Sequence, residues 1–87
     1  MKYFVYLLIN TDRKRSTTYV GYTNNIKKRL KLHNSSKGAK FTRGRKWLII
    51  YKKKYNSKSI AMKSEYKLKK DTKFRNKIKK KFLKNFI

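Results

Sequence analysis

The sequence predicts an α+β fold whose elements run β-β-α-β-α-α. Three observations carry that prediction. Two short aromatic and β-branched runs, residues 3–9 and 17–23, flank a polar stretch and read as a hairpin. A third run, residues 47–51, stands alone after a long polar segment. Elsewhere apolar residues recur at helical spacing in three separate stretches.

Tyr3, Phe4, Val5, Tyr6, Leu7, Leu8 and Ile9 follow one another without polar alternation, the pattern of a strand buried on both faces. Residues 10–16 are polar and basic, a loop, and residues 17–23 return as the antiparallel partner strand. If Tyr6 and Tyr19 sit opposite each other, the midpoint of the connection falls between Asp12 and Arg13, inside that polar stretch. Asn24 or Asn25 caps the next segment, where Ile26, Leu30 and His33 share one helical face. Residues 34–45 carry Gly38 and Gly44 and form a long basic loop before the third strand at 47–51. Asn56, Ser57 or Ser59 caps a second helix that runs to about Lys70. Phe74, Ile78, Phe82 and Phe86 recur every four residues beside Leu83, marking an amphipathic third helix.

Length confines these elements to one domain over residues 1–87. Only 38% of the residues are hydrophobic, so seven Tyr and five Phe must fill much of a lean core. With no cysteine, disulfides and thiolate zinc sites are excluded. The longest apolar run, residues 4–9, is too short for a signal peptide or a membrane span, which makes a cytoplasmic protein the default.

A net charge of +25, from 28 Lys and Arg against three acidic residues, opposes compaction and calls for an anionic partner. Nucleic acid fits best. An acidic membrane surface and a coding bias toward Lys are the competing accounts.

Few residues offer chemistry. Asp12, Glu65 and Asp71 are the whole acidic complement; Asp12 falls in the hairpin loop and Asp71 after the second helix, so a shared dinuclear metal site is not expected. One ion on one carboxylate stays open. Glu65 falls between Ala61 and Leu68 on the core-facing stripe, where a carboxylate needs a partner such as Lys69 four residues on. Arg29 and His33 share a helix face, and an Arg fork suits phosphate. Taken singly, His33, Tyr6 and Tyr19 read equally well as core residues. Gly21 inside a strand suggests that another group approaches the backbone closely.

Taken together, the pattern is more specific. Phe4-Val5-Tyr6, then Tyr19-Val20-Gly21, then Arg29 and His33, then a helical Glu65 resembles the GIY-YIG nuclease family. Phe and Val stand where the first name-giving triplet has Gly and Ile, and Val replaces Ile in the second. Tyr22 follows that triplet where the excision-repair branch carries lysine. Asn24 to Leu30, His33-Asn34, Gly38 to Arg43 and Trp47 resemble the branch of small stand-alone bacterial YhbQ-like proteins and Slx-type nuclease domains. The resemblance spans roughly residues 3–83.

It implies a small three-stranded antiparallel sheet flanked by helices, in agreement with the element order above. It also implies metal-dependent hydrolysis of DNA phosphodiesters in repair or recombination, directed by branched, nicked or single-stranded structure rather than sequence, and leaving a 5′-phosphate. Glu65 would bind one Mg²⁺ or Mn²⁺, and Arg29 would donate to a non-bridging oxygen where charge builds. Tyr6 is the first choice of general base with His33 orienting it or relaying its proton, while Tyr19 orients water or phosphate. Tyrosine ordinarily titrates near ~10, so this role needs cations nearby. Lys28, Lys37, Lys40, Thr42, Arg43 and Arg45 are expected to contact DNA along its backbone. An active domain that needs a partner protein for targeting, and a non-catalytic, ribosome-associated nucleic-acid binder, are the alternatives.

Overall fold

The computed structural model describes residues 2–11, 16–35 and 37–86. Its elements are β1 (Tyr3–Asn10), β2 (Thr17–Thr23), α1 (Ile26–Asn34), a 3-10 turn at Lys40–Thr42, β3 (Trp47–Tyr55), α2 (Lys58–Lys70) and α3 (Thr72–Phe86). The order is the expected one, and the three strands form one antiparallel sheet, β2-β1-β3. β1 lies in the centre, which explains its unbroken apolar run: Val5, Leu7 and Ile9 face one side, Tyr6 and Leu8 the other, and all five are buried.

Helices cover both faces. Val5, Leu7 and Val20 pack with Ala61 and Leu68 of α2, and Ile78 of α3 closes that side. Tyr6, Leu8 and Trp47 pack with Tyr19, Ile49 and the α1 residues Ile26 and Leu30. A bulge in the β1–β3 ladder serves both layers. Leu7 pairs with Tyr51 but Leu8 with Ile49, leaving Ile50 as the extra residue. Ile49 therefore joins Leu8 on the α1 side while Tyr51 joins Leu7 beneath α2 and α3.

Two expectations are corrected. Tyr6 pairs with Gly21, not with Tyr19, which faces Leu8. The cause is space: a Cβ at position 21 would overlap the Tyr6 hydroxyl. Gly21 is thus the close approach its place in a strand suggested, and the approaching group is Tyr6. The hairpin midpoint at Asp12 and Arg13 lies outside the described residues. Secondly, β3 continues past Tyr51 to Tyr55, because Lys52, Lys53 and Lys54 pair with Tyr6, Val5 and Phe4. Lysines are tolerated on an edge strand, where their side chains reach water and discourage further strand pairing.

Local chemistry sets the helix starts. Asn25 caps α1 by accepting from the Lys28 N–H, and Ser57 caps α2 by accepting from the Ile60 N–H. Asp71 accepts from the Phe74 N–H at 3.1 Å and starts α3. Arg75 then reaches back to donate to the Leu68 and Lys69 carbonyls, sealing the end of α2. Among the described residues no helix is long and apolar enough to cross a membrane.

Candidate active site

Tyr6 on β1 and His33 on the last turn of α1 are brought together across the α1 face of the sheet. The Tyr6 hydroxyl lies 2.9 Å from His33 Nε2, and both residues are buried. On the other side of the ring, His33 Nδ1 lies 2.8 Å from Thr42 Oγ1. That hydroxyl spends its proton on the Ala39 carbonyl, also at 2.8 Å, so toward His33 it can only accept. Nδ1 therefore carries the imidazole hydrogen, and Nε2 offers its lone pair to the Tyr6 O–H.

The surroundings hold this chain in register. Thr42 enters through the 3-10 turn, its carbonyl accepting from the Trp47 indole at 3.0 Å. Asn34, directly after His33, clamps both backbone groups of Trp47 with its amide and so ties the end of α1 to the start of β3. Gly38 leaves room for the His33 ring, which a Cβ there would overlap. Tyr19 stands edge-on to the same ring, centroids 5.1 Å apart.

Charge bears on the Tyr6 hydroxyl from two sides. Burial pushes it up to about 12, outweighing Arg29, whose hydrogen bond and positive charge both pull it down. Tyr19 and the Glu65 carboxylate add to the rise, which places Glu65 of α2 within electrostatic reach of Tyr6. His33 is pushed down to about 4, chiefly by burial and further by the Arg29 charge. At neutral pH both partners are therefore uncharged. Arg29 pulls the hydroxyl down, as a nearby cation is expected to, but burial outweighs it.

A model of the GIY-YIG catalytic domain matches residues 2–79. The chain belongs to the GIY-YIG family. A UPF0213 protein of Oceanobacillus iheyensis is 45% identical over 69 residues, covering 78% of this chain and 77% of its own. A UPF0213 protein of Staphylococcus haemolyticus is 39% identical over 69 residues, covering 78% and 80% respectively. The solution NMR structure of a UPF0213 protein from Bacillus halodurans is 36% identical and covers 88% of this chain and 80% of that one, with a TM-score of 0.49. These names state no activity; GIY-YIG membership itself supports a nuclease.

Within this GIY-YIG domain, Tyr6, Tyr19, Arg29, His33 and Glu65 form one neighbourhood, contributed by β1, β2, α1 and α2. Among the described residues no three His, Asp or Glu side chains gather into a chelating group. Asp71 is engaged at the start of α3. Among the described residues that leaves Glu65 as the candidate donor, with 17% of its side chain exposed and one oxygen 3.2 Å from the Lys69 ammonium. A single carboxylate suits one Mg²⁺ or Mn²⁺ whose remaining positions go to water and phosphate, and it does not suit a dinuclear site.

Of the residues expected to meet DNA, Lys28, Lys37, Lys40 and Arg43 are exposed. Arg45 is half-buried, donating to the Thr17 hydroxyl at 2.9 Å and lying 5.0 Å from the centre of the Phe41 ring. Thr42 must be reassigned. It is fully buried and both functions of its hydroxyl are used within the His33 chain, so it supports the histidine and does not face a phosphate. A buried histidine needs partners for two ring nitrogens, and that requirement was the available signal for a hydroxyl in the following loop.

Proposed function

We propose that the chain is a metal-dependent DNA endonuclease acting in the cytoplasm on branched, nicked or single-stranded DNA in repair or recombination. The observation that carries this reading is the hydrogen-bonded chain from Tyr6 through His33 to Thr42, with Arg29 and Glu65 both acting on its first hydroxyl.

A neutral Tyr6 can take a proton from water only if it gives one up. His33 provides for that: with its pKa at about 4, Nε2 is unprotonated at neutral pH and accepts the Tyr6 proton. The water oxygen, as its proton moves to the Tyr6 oxygen, attacks phosphorus in line with the 3′-oxygen, which leaves with the bonding pair and takes a proton from solvent water, so a 5′-phosphate and a 3′-hydroxyl result. The phosphate charge in the site offsets the burial that otherwise disfavours imidazolium. Arg29 donates to a non-bridging oxygen as negative charge grows. Tyr19, packed on the same imidazole, positions the water or the phosphate. Glu65 would hold one Mg²⁺ or Mn²⁺, which supplies Lewis-acid polarisation of the phosphate and neutralises charge at the leaving oxygen.

The test is to incubate the protein with supercoiled plasmid and with branched, flapped and single-stranded DNA, in Mg²⁺ or Mn²⁺ and in EDTA. Metal-dependent cleavage is expected. Arg29→Ala should lower turnover by about 10²–10³ with little change in DNA affinity, since many other cations remain. A protein that cuts none of these with either metal is a nucleic-acid binder and not a nuclease.

A further inference from the structure

Phe41 is 51% exposed although it directly precedes the buried Thr42 and its ring lies 6.2 Å from that of the buried Trp47. Its ring lies nearly parallel to that of Tyr19, at 19° with centroids 6.1 Å apart. The Arg45 guanidinium, 5.0 Å from its centre, further fixes its orientation. Beside it opens a cleft of about 230 Å³, floored by Thr18, Tyr19 and Val20 of the edge strand β2. Phe41 and Tyr19 supply aromatic surface to that cleft, and Lys69 and Arg75 supply positive charge from the α2–α3 side. Lys69 is also the ion-pair partner of Glu65, so the cleft adjoins the proposed metal ligand.

A single exposed phenylalanine is ordinary on a protein surface. A held aromatic ring, a cleft against it and two cations across the opening together have the chemistry of a nucleotide: a flat apolar base and an anionic backbone. Only an unpaired base can leave its helix and lie on such a ring. We propose that this cleft is a subsite for one unpaired nucleotide next to the scissile phosphate, with the base stacked on Phe41 and its phosphate between Lys69 and Arg75. The proposal rests on the nuclease reading for its orientation, but the subsite acts by binding alone. It gives this domain a structural criterion for its substrate, DNA with at least one unstacked base at the point of cleavage.

The test is equilibrium binding in EDTA, without metal, so that it does not depend on cleavage. Single-stranded oligothymidylate is compared with an abasic deoxyribose-phosphate strand of equal length and charge, at one salt concentration. Wild type should bind the strand with bases about tenfold or more tightly, the scale of one base on one aromatic ring. Phe41→Leu should lose that discrimination while its affinity for the abasic strand stays the same, and Phe41→Trp should keep or increase it. Equal binding of the two strands by wild type overturns the subsite without any variant being needed. So does a Phe41→Leu protein that keeps the preference. Absence of cleavage in metal, with base discrimination intact, would instead overturn the nuclease reading and leave the subsite standing.

Discussion

Thr42 Oγ1 meets His33 Nδ1 at 2.8 Å while giving its own proton to the Ala39 carbonyl, and this one relationship decides which nitrogen of His33 faces Tyr6 as a base. Without it the ring could place N–H toward the Tyr6 hydroxyl, leaving no lone pair to receive a proton. The consequence is direct. Thr42→Val, close in shape but lacking the hydroxyl, should reduce cleavage about tenfold to a hundredfold, the scale for losing a partner that orients a working histidine. It should also destabilise the fold by about 1–3 kcal/mol, because a buried N–H is left unpaired. Thr42→Ser should restore most of both. Plasmid nicking and thermal unfolding on the three proteins check it; a fully active Thr42→Val would remove the threonine from the proton path.

His33 also couples folding to pH. In the folded chain its pKa is pushed down to about 4, whereas an unfolded histidine titrates near 6.5. Between those values the unfolded chain binds more protons, so stability rises with pH in that window. The contribution is fully present above about pH 6.5 and is lost as pH falls through about 4; for a group this buried it amounts to roughly 3 kcal/mol. Unfolding midpoints of wild type and His33→Gln, followed from pH 7.5 to 3.5, should converge as the acid end is reached. Parallel curves would show that His33 carries no such depressed pKa. Cleavage should show an acid limb on the same group, since a protonated Nε2 cannot accept from Tyr6.

Gly21 gives a prediction about space. A Cβ there would overlap the Tyr6 hydroxyl and the ring carbon that bears it, both in a packed interior. Gly21→Ala should therefore push the Tyr6 ring off His33, cost about 1–3 kcal/mol of stability and remove most cleavage, while DNA affinity, carried by exposed cations, stays near wild type. If Gly21→Ala melts and cleaves like wild type, the Tyr6 ring is not held where the site requires it.

What the sequence made legible is the part of the molecule that local patterns dictate. Strand and helix order follow from hydrophobic period, and the Asn25 and Ser57 caps follow from short polar side chains placed ahead of apolar helical stripes. The register between β1 and β2 was not legible, because it depends on Tyr6 crossing to Gly21 on another strand. The extension of β3 through Lys52, Lys53 and Lys54 was hidden for a similar reason, since backbone pairing with β1 overrides the poor strand propensity of lysine. Tyr6, His33 and Arg29 were found as candidates because their residue types and spacing matched a pattern. Thr42 was misread because its neighbours in sequence are basic, while its neighbours in space are His33 and Ala39.

Glu65 provides the sharpest separation between a catalytic and a merely structural role. Its ion pair with Lys69 exists, at 3.2 Å one helical turn apart, but the lysine side chain is 53% exposed. A pair screened to that degree contributes at most about 0.5 kcal/mol, so losing it cannot unfold the domain. Glu65→Gln keeps the shape of the side chain and removes its charge. The melting temperature should therefore hardly move, and DNA affinity should hold or rise slightly as a negative charge leaves a strongly positive chain. Cleavage, by contrast, should fall by about 10² or more if this carboxylate holds the ion, because among the described residues no group of three His, Asp or Glu side chains gathers to hold it instead. Titration of Mn²⁺ followed by its relaxation signal gives the readout that activity alone cannot. Wild type should show a bound ion, strengthened by single-stranded DNA, and Glu65→Gln should show it weakened at equal DNA occupancy. A variant that is destabilised but still cuts, or one that binds Mn²⁺ as wild type does, would assign Glu65 to the helix surface and leave the metal to be sought elsewhere.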